Sequence, residues 1–479
     1  MAFISVIKKY NRSFWIANTI ELFERWAWYG FFMLFANYLT GSADMGGLEF
    51  SQEQKGLIMG IGTGILYFLP VITGSIADKY GYKRVLFIAF LVYTSAFILL
   101  PHFNTFAGVF AMYLYLALGA ALFKPIISAT IAKTTDDETA SIGFGIFYMM
   151  VNIGAFFGPL VTLLYKGQSE LVFYISAGIV ALNFILLIFY KEPDRTVNTD
   201  SIWVSIGKVF TNIGLVVKDF KFVLFLVIVA GFWTMYNQLF FTLPVFIAQW
   251  VDTSAVYNFF HQYLPFFSEN YGIAETGQME AEFITNFDAL FIIIFQIIVS
   301  AIVMRWRPLR SMMSGFLVCA IGMALTLFTQ NVLFTLVAIY IFALGEMAGS
   351  PKITEYIGRI APIDKKALYM GYSFIPVFLG NVFAGIISGN VYGSMSDKNV
   401  FVKQEVAEKG LQISDGLTQN EYFNTAAQKL GMTPAELTNH LWDKYNPSQI
   451  WMVILVIGLA AVVALFLYDK FVMKGKKHY

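Results

Sequence analysis

Glu21, Glu24 and Arg25 stand inside the apolar run IELFERWAWYGFFML, two acids and a base where nothing about holding a helix in lipid requires them. On a helix entered near Ser13, a rise of ~1.5 Å per residue places them close to the middle of a ~30 Å hydrocarbon layer. Each charge there costs about 2.5–3.5 kcal/mol, so such a trio is expected in a paired, water-accessible interior and is read first as function. Glu21 is three residues from Glu24 and four from Arg25, so it can share a face with either. Two carboxylates beside one guanidinium cannot easily both stay ionised, so one of them is a candidate to exchange a proton. Arg25 can hold that carboxylate or the carboxylate of a solute, which would make proton arrival compete with the pairing of the acid to Arg25. The alternative is a static buried ion pair, a weak source of stability.

Further charges fall within apolar stretches: Lys124 in GAALFKP, Glu346 and Lys352 in GEMAGSPK, and Asp288 in ITNFDALFII. Lys124 and Glu346 sit in segments that repeat the spacing G-x5-P, Gly119 with Pro125 and Gly345 with Pro351. A pair between them could form in one state and break in another. Lys352 and Glu355, three apart, suggest a local pair or gate element. Asp288 has two readings, a negative group for a solute's amino terminus or a helix-start cap.

The elements that carry these groups follow from composition. Residues 58% hydrophobic and only 13% charged over 479 positions describe a polytopic membrane protein, and a net charge of +1 argues against a nucleic-acid partner. Hydrophobic windows predict twelve spans, near 14–40, 55–77, 85–103, 106–131, 141–165, 170–190, 222–250, 283–304, 311–329, 331–358, 367–390 and 449–472. Most of the 32 basic residues fall on alternate loops, which predicts cytoplasmic termini and a multi-pass protein of the cell (inner) membrane. MAFISVIKKYNR lacks the apolar core and cleavage site of a signal peptide and is read as mature cytoplasmic sequence.

Span five carries Gly145 and Gly154, span eleven Gly371 and Gly380, equally spaced at nine, so two pairs of corresponding spans match. A duplicated six-span unit is the expectation: 1–190 as one bundle, 191–221 as a cytoplasmic linker with an amphipathic helix, and 222–479 as the second. Parallel repeats of this kind form two bundles that rock around a central site. The stretch 391–448 is too polar to span. Thr418 with Glu421 and Thr433 with Glu436 read as capping boxes, Gly410 and Gly431 as stops, predicting a small helical insertion outside the cytoplasm between spans eleven and twelve. The loop 251–282, with Tyr257, Phe259, Phe260, His261, Tyr263 and Phe266, reads as an interfacial aromatic belt. Cys319 reads as a small core residue. His102, His261, His440 and His478 lie in or beside loops with no metal spacing, and no phosphate-binding loop is evident, so neither an enzyme, nor an ATP-driven pump, nor any cofactor is expected.

Two sets of motifs carry a resemblance. GSIADKYGYKR resembles the major facilitator signature, with Gly74, Asp78, Lys79, Gly81, Lys83 and Arg84 in place; in that family this loop latches the helix ends. ELFERWAWYG resembles the E-x-x-E-R-F-x-Y-Y signature of the proton-dependent oligopeptide transporters, through Glu21, Glu24, Arg25 and Tyr29. FKPIIS around Lys124, FGIFYMMVNIGAFFGPL with Tyr148, Asn152 and Gly154, FWTMYNQ at Trp233 and GEMAGSP at Glu346 are similar to that family's motifs in spans four, five, seven and ten. The resemblance implies a major facilitator fold without the two extra helices frequent in bacterial members. It also implies proton-coupled import of di- or tripeptides or peptide-like solutes, with protons and the bilayer as further partners. Glu21, Glu24 and Arg25 would couple protons. Arg25, Tyr29, Lys124, Tyr148, Asn152, Trp233, Asn237, Asp288 and Glu346 would line the solute site, Lys124 meeting a carboxylate and Glu346 an amino group. Asp78, Lys79, Arg84, Lys352 and Glu355 would gate.

The chain is an atypical member on this reading. The family's second span-one arginine is Phe32, its span-eleven tryptophan falls on Ser373 with Pro376 where serine is usual, and an acid and an amide trade helices, leaving Asn237 in span seven and Asp288 in span eight. The alternatives are a proton-coupled carrier of another organic solute, an exporter, or a transporter-like receptor or scaffold whose 391–448 insertion binds a protein partner.

Overall fold

The computed structural model describes residues 8–136, 139–194, 218–325, 329–362 and 366–473, with Trp203, Val204, Gly207, Lys208, Thr211 and Gly214 between. The linker helix expected within 191–221 falls largely outside these residues.

Among the described residues all twelve predicted spans are helical, and most of the apolar windows place their ends to within a few residues. The first bundle holds Arg12–Thr40, Gln52–Phe68 continuing as Pro70–Tyr80, Tyr82–Leu99, Phe106–Lys133, Ala140–Leu163 and Ser169–Phe189. The second holds Phe220–Tyr236 continuing through Gln238–Phe241 and Leu243–Trp250, then Phe287–Val303, Pro308–Ala324, Val332–Ile360, Ile375–Ile386 extended by Ile387–Val391, and Gln449–Leu467. By length and hydropathy, nine helices among the described residues could each cross a membrane, ten if the bent pair of span two is one span. Span one, with its charged trio, and Pro308–Ala324 complete the twelve.

Glycines set the packing within each bundle, and they do so at matching places. A Cβ on Gly119 would meet Tyr93 of span three at 2.9 Å, and one on Gly345 would meet the Cys319 amide of span nine at 2.5 Å. Gly154 of span five lies against Leu22 and Arg25 of span one, and Gly380 of span eleven against Trp233 of span seven. These are corresponding contacts, three with four and nine with ten, one with five and seven with eleven, so the duplicated spacing reports a duplicated packing geometry.

The bundles meet along spans two and eleven. A Cβ on Gly56 would come within 2.8 Å of the Gly389 Cα, and one on Gly60 within 2.9 Å of the Gly385 Cα. At the other ends of spans five and eleven, no atom of the described residues lies within 4 Å of a Cβ placed on Gly145 or Gly371, beyond their own chain neighbours and helix backbone. The close seam lies at the end that carries the 391–448 insertion, called the cap end below. There three helices, Lys398–Glu408, Gln419–Leu430 and Pro434–Tyr445, form a cap. Both predicted capping boxes are formed, and Gly431 takes the left-handed conformation that ends the second helix. The 251–282 loop is more ordered than an aromatic belt requires. It builds the helices Ser254–Tyr263 and Pro265–Tyr271 and a two-stranded hairpin, with Phe260 and Phe267 packed on Phe283.

Candidate functional site

Span one brings its trio into the first bundle's interior. Glu24 is fully buried, Arg25 4% and Glu21 6% exposed. The arginine folds back on its sequence neighbour: Nε donates to Glu24 Oε2 at 2.5 Å and the terminal nitrogen to Oε1 at 2.6 Å, a two-pronged pair. Tyr93 of span three donates to the same carboxylate at 2.9 Å. Glu21 approaches the Arg25 Nε at 3.3 Å. The two acids are therefore unequal. Glu24 is held by three bonds, whereas Glu21 makes one longer ion-pair approach and lies within electrostatic reach of Lys124.

Close helix packing fixes this arrangement. A Cβ at Gly154 would sit 2.8 Å from both the Arg25 Cβ and the Leu22 carbonyl, so a glycine there is what lets span five press against the arginine's base. Tyr29 lies one turn on, its ring 5.8 Å from the Arg25 guanidinium and 6.2 Å from Phe240 of span seven. Lys124 is half-buried, with its ammonium 5.0 Å from the Tyr67 ring. Tyr148 is 38% exposed and its carbonyl accepts from the Asn152 amide at 2.9 Å.

The second bundle contributes different chemistry. Glu346 is 8% exposed and accepts one bond from Tyr236 at 2.8 Å, while its Oε2 has no partner among the described residues. Asp288, 6% exposed, has an unpartnered Oδ1, and the two carboxylates interact electrostatically with each other and with Cys319. Asp288 makes no helix-start cap, and its neighbour Asn286 points its amide to the Phe156 carbonyl at 3.1 Å. Asn237 is buried at the break of span seven with its amide nitrogen unpartnered, and Trp233 packs edge-on against Tyr236. The Lys124–Glu346 pair envisaged from the repeat is not closed here, since Lys124 sits on Tyr67 and Glu346 on Tyr236.

The residues expected to gate divide by position. Lys352 and Glu355 pair at 2.6 Å, and Arg359 reaches the same glutamate at 2.5 Å. Asp78 accepts from the Tyr82 hydroxyl at 3.1 Å, Lys79 lies over Tyr80, and Arg84 is exposed. At the cap end the bundles are tied by groups that the sequence did not mark. Lys55, the first residue of the predicted span 55–77, is fully buried inside the span-two helix and donates to the Phe241 carbonyl at 2.9 Å, beside Pro244, which cannot donate to the preceding turn. Lys166 bridges Glu280 and Glu282 at 2.5 and 2.8 Å, and Asn37 donates to Glu282 at 2.8 Å.

The Major Facilitator Superfamily model matches residues 15–385. The chain belongs to that superfamily. Among its curated relatives, a Na(+), Li(+), K(+)/H(+) antiporter of Planococcus maritimus is 25% identical over 410 residues, covering 78% of this chain and 94% of the relative. A dipeptide and tripeptide permease A of Cronobacter turicensis is 30% identical over 240 residues, 48% of this chain and 45% of the permease. A crystal structure of a POT family transporter in complex with a thioalcohol conjugated peptide superposes with a TM-score of 0.70 at 15% identity, over 98% of this chain and 100% of that one. The motif resemblance to the oligopeptide transporters thus has a counterpart among the curated relatives, and the superposition shows a shared fold.

Within this major facilitator frame, Phe32 explains one departure. Where the oligopeptide signature has a second arginine, Phe32 stacks on Trp28 at 5.1 Å and meets Phe240 and Phe241 of span seven at 5.7 and 6.1 Å. An apolar seal between bundles stands where a cation was expected. Ser373 turns its hydroxyl to the Met370 carbonyl at 2.7 Å. Tyr93 and Lys55 were missed because a tyrosine in an apolar helix reads as core and a lysine at a span's edge reads as a loop.

Proposed function

We propose that this chain is a proton-coupled symporter that imports di- or tripeptides, or similar zwitterions, by alternating access. The observation that carries the reading is the inequality of the two span-one acids. Glu24 and Tyr93 hold Arg25 in place, and Glu21 is the acid that can leave the guanidinium with the loss of one long contact. A proton on Glu21 frees one side of Arg25, and a solute carboxylate can then take that side, with Lys124 as its second cation. Glu346 and Asp288, on the facing bundle, supply negative charge for an amino terminus, with Tyr29, Tyr148, Asn152, Trp233 and Asn237 around the space between. Net import requires the proton and the solute to occupy this centre together. The cap end faces outward on the basic-residue asymmetry, with both termini in the cytoplasm of the cell. The closed cap end and the lack of close packing among the described residues at Gly145 and Gly371 then describe an inward-facing state, in which Lys352, Glu355 and the Asp78–Arg84 loop border the open side.

The test is uptake of radiolabelled dialanine into proteoliposomes with an alkaline interior. Accumulation above the external concentration that collapses with a protonophore supports symport, and uptake indifferent to the gradient overturns it.

A second reading is exchange of a monovalent cation for protons. The observation favouring it is that, among the described residues, neither Asp288 nor Glu346 forms an ion pair with a basic group and each keeps an unpartnered oxygen, a pair of buried carboxylates suited to a cation, and one relative carries that activity in its name. Sodium- or potassium-induced proton release from acid-loaded vesicles, without any peptide, would select it.

A further inference from the structure

The three-helix cap is built as part of the second bundle. Trp250 at the end of span seven donates to the Ser396 carbonyl at 2.8 Å, Gln249 donates to Asp397 at 2.9 Å, and the Ser396 hydroxyl donates to the Pro447 carbonyl at 2.6 Å. Leu437 and Leu441 are fully buried, Phe401 stacks on Tyr445 at 4.5 Å, and Lys444 pairs with Glu405 at 2.5 Å. Such a cap moves with its bundle.

Its second helix nevertheless reaches the other bundle. The Gln419 amide donates to Glu49 at 2.7 Å and the Asn420 amide to the Ser42 hydroxyl at 3.0 Å. The Asn420 side chain donates to both oxygens of Asp44, at 3.1 and 3.3 Å. These acceptors all belong to the loop between spans one and two. They are placed at the helix N-terminus, where free amides and the helix dipole favour negative charge. Gln419 is held from behind, its side chain accepting from Asn399 of the first cap helix at 2.9 Å.

The loop is shaped for this grip. Glu49 has φ +53°, a left-handed conformation that a non-glycine residue adopts at a cost of about 1–2 kcal/mol. It is held there by its own amide on the Gly41 carbonyl, and its carboxylate accepts from the Ala43 amide at 3.0 Å and the Ser42 hydroxyl at 3.2 Å as well as from Gln419. Ser42 also donates to Asp44. Burial works against the Asp44 charge, but hydrogen bonds from Ser42, Asn420 and Thr418 outweigh it and hold the carboxyl below the usual aspartate range. A depressed value means the contribution is complete above the ordinary aspartate range and fades only as pH falls through the depressed one. The contact therefore stays charged at neutral and mildly acidic pH, and its release is mechanical.

We infer that the cap is a latch: the N-terminus of its second helix clasps the Ser42–Glu49 loop of the opposite bundle and must let go each time the cap end opens. The clasp biases the transporter toward the state closed at the cap end, by an amount set by a few hydrogen bonds to ionised acceptors.

Two measurements on the full-length protein test this, and neither needs the cargo to be known. The native Cys319 is fully buried, so introduced thiols report with little background. Gln52, 3% exposed in the seam against Gly389 and Gly393, is replaced by cysteine and labelled with a membrane-impermeant maleimide. Asp44→Ala or Asn420→Ala in that background is expected to raise the labelling rate about tenfold or more, the loss of one or two bonds to a charged acceptor. The opposite manipulation joins Ser42→Cys to Asn420→Cys. Oxidation is expected to suppress labelling at position 52 at least tenfold, and reduction to restore it. Labelling that is indifferent both to loosening and to the disulfide overturns the latch. Labelling that responds, but only with maleimide added from the side of the termini, keeps the latch and overturns the orientation proposed above. Should dialanine uptake prove absent in the unmodified protein, that defeats the peptide reading and leaves the latch standing on the labelling result.

Discussion

The two bundles share a packing plan and differ in how they treat charge. Around Gly119 and Gly154 the first bundle closes an acid, a base and a tyrosine into one unit, with Glu24 fully buried and Arg25 4% exposed. Around Gly345 and Gly380 the second leaves Asp288 and Glu346 in electrostatic reach of each other, each with an oxygen unpartnered among the described residues and only Glu346 bonded to a tyrosine, Tyr236. At the position where Tyr93 anchors Glu24, the second bundle has Cys319, which donates only to the Phe342 carbonyl at 3.4 Å. The difference teaches that duplication preserved the close helix contacts and left the polar groups at those contacts free to diverge. One half is internally neutralised, the other is built to receive positive charge from outside itself.

That contrast is broken or sharpened first in span one, where the largest effects are expected. Glu21→Gln should abolish proton-driven accumulation while counterflow exchange of the same solute persists, because a glutamine can still pack beside Arg25 but cannot release a proton. Glu24→Gln should also stop accumulation, and it should additionally lower stability by ~3–5 kcal/mol, since it strips a buried guanidinium of its main partner. Thermal unfolding in detergent separates the two. If Glu21→Gln and Glu24→Gln melt alike, the inequality of the two acids is wrong.

Much of this was legible before any coordinates. The depth and spacing of Glu21, Glu24 and Arg25 pointed to a paired interior, and the Gly119 and Gly345 motifs pointed to the duplicated helix contacts. The capping boxes at Thr418 and Thr433 appeared as read, because N-terminal capping is a local matter of one turn. What stayed hidden is non-local. That Arg25 would choose its neighbour Glu24 depends on Tyr93 arriving from span three. The break at Asn237 carries no glycine, and the only proline nearby, Pro244, stands at the next turn. The first cap helix, Lys398–Glu408, starts at Asp397 without a capping box. The burial of Lys55 depends on the seam between bundles, which no single-helix pattern contains.

Intermediate effects are expected where the two bundles share a solute. Lys124→Ala removes a cation that faces the first bundle's Glu21, and it should weaken a peptide with a free carboxylate about tenfold relative to its amide, close to one charged hydrogen bond. Competition against dialanine uptake measures this, and equal loss for acid and amide removes Lys124 from carboxylate recognition. Gly154→Ala and Gly380→Ala test the shared packing plan. Each adds a Cβ within about 3 Å of the facing helix, and each should cost ~1–3 kcal/mol. A large cost in one and none in the other would mean the bundles are less alike than their glycines suggest.

The smallest effect should fall in the second bundle and have the opposite sign to Glu24→Gln. Asp288 keeps a buried carboxylate oxygen without a partner, beside a second acid. An unpartnered buried polar atom costs about 1–3 kcal/mol, and an amide of the same shape relieves the charge. Asp288→Asn should therefore melt at the same temperature as the unmodified protein or slightly above it, while binding of a peptide with a free amino terminus weakens more than that of its acetylated form. Thermal shift without ligand, with dialanine and with N-acetyl-dialanine reads both at once. A marked loss of stability would show that Asp288 is held by interactions like those of Glu24, and the contrast between a self-neutralised half and a receptive half would have to be given up.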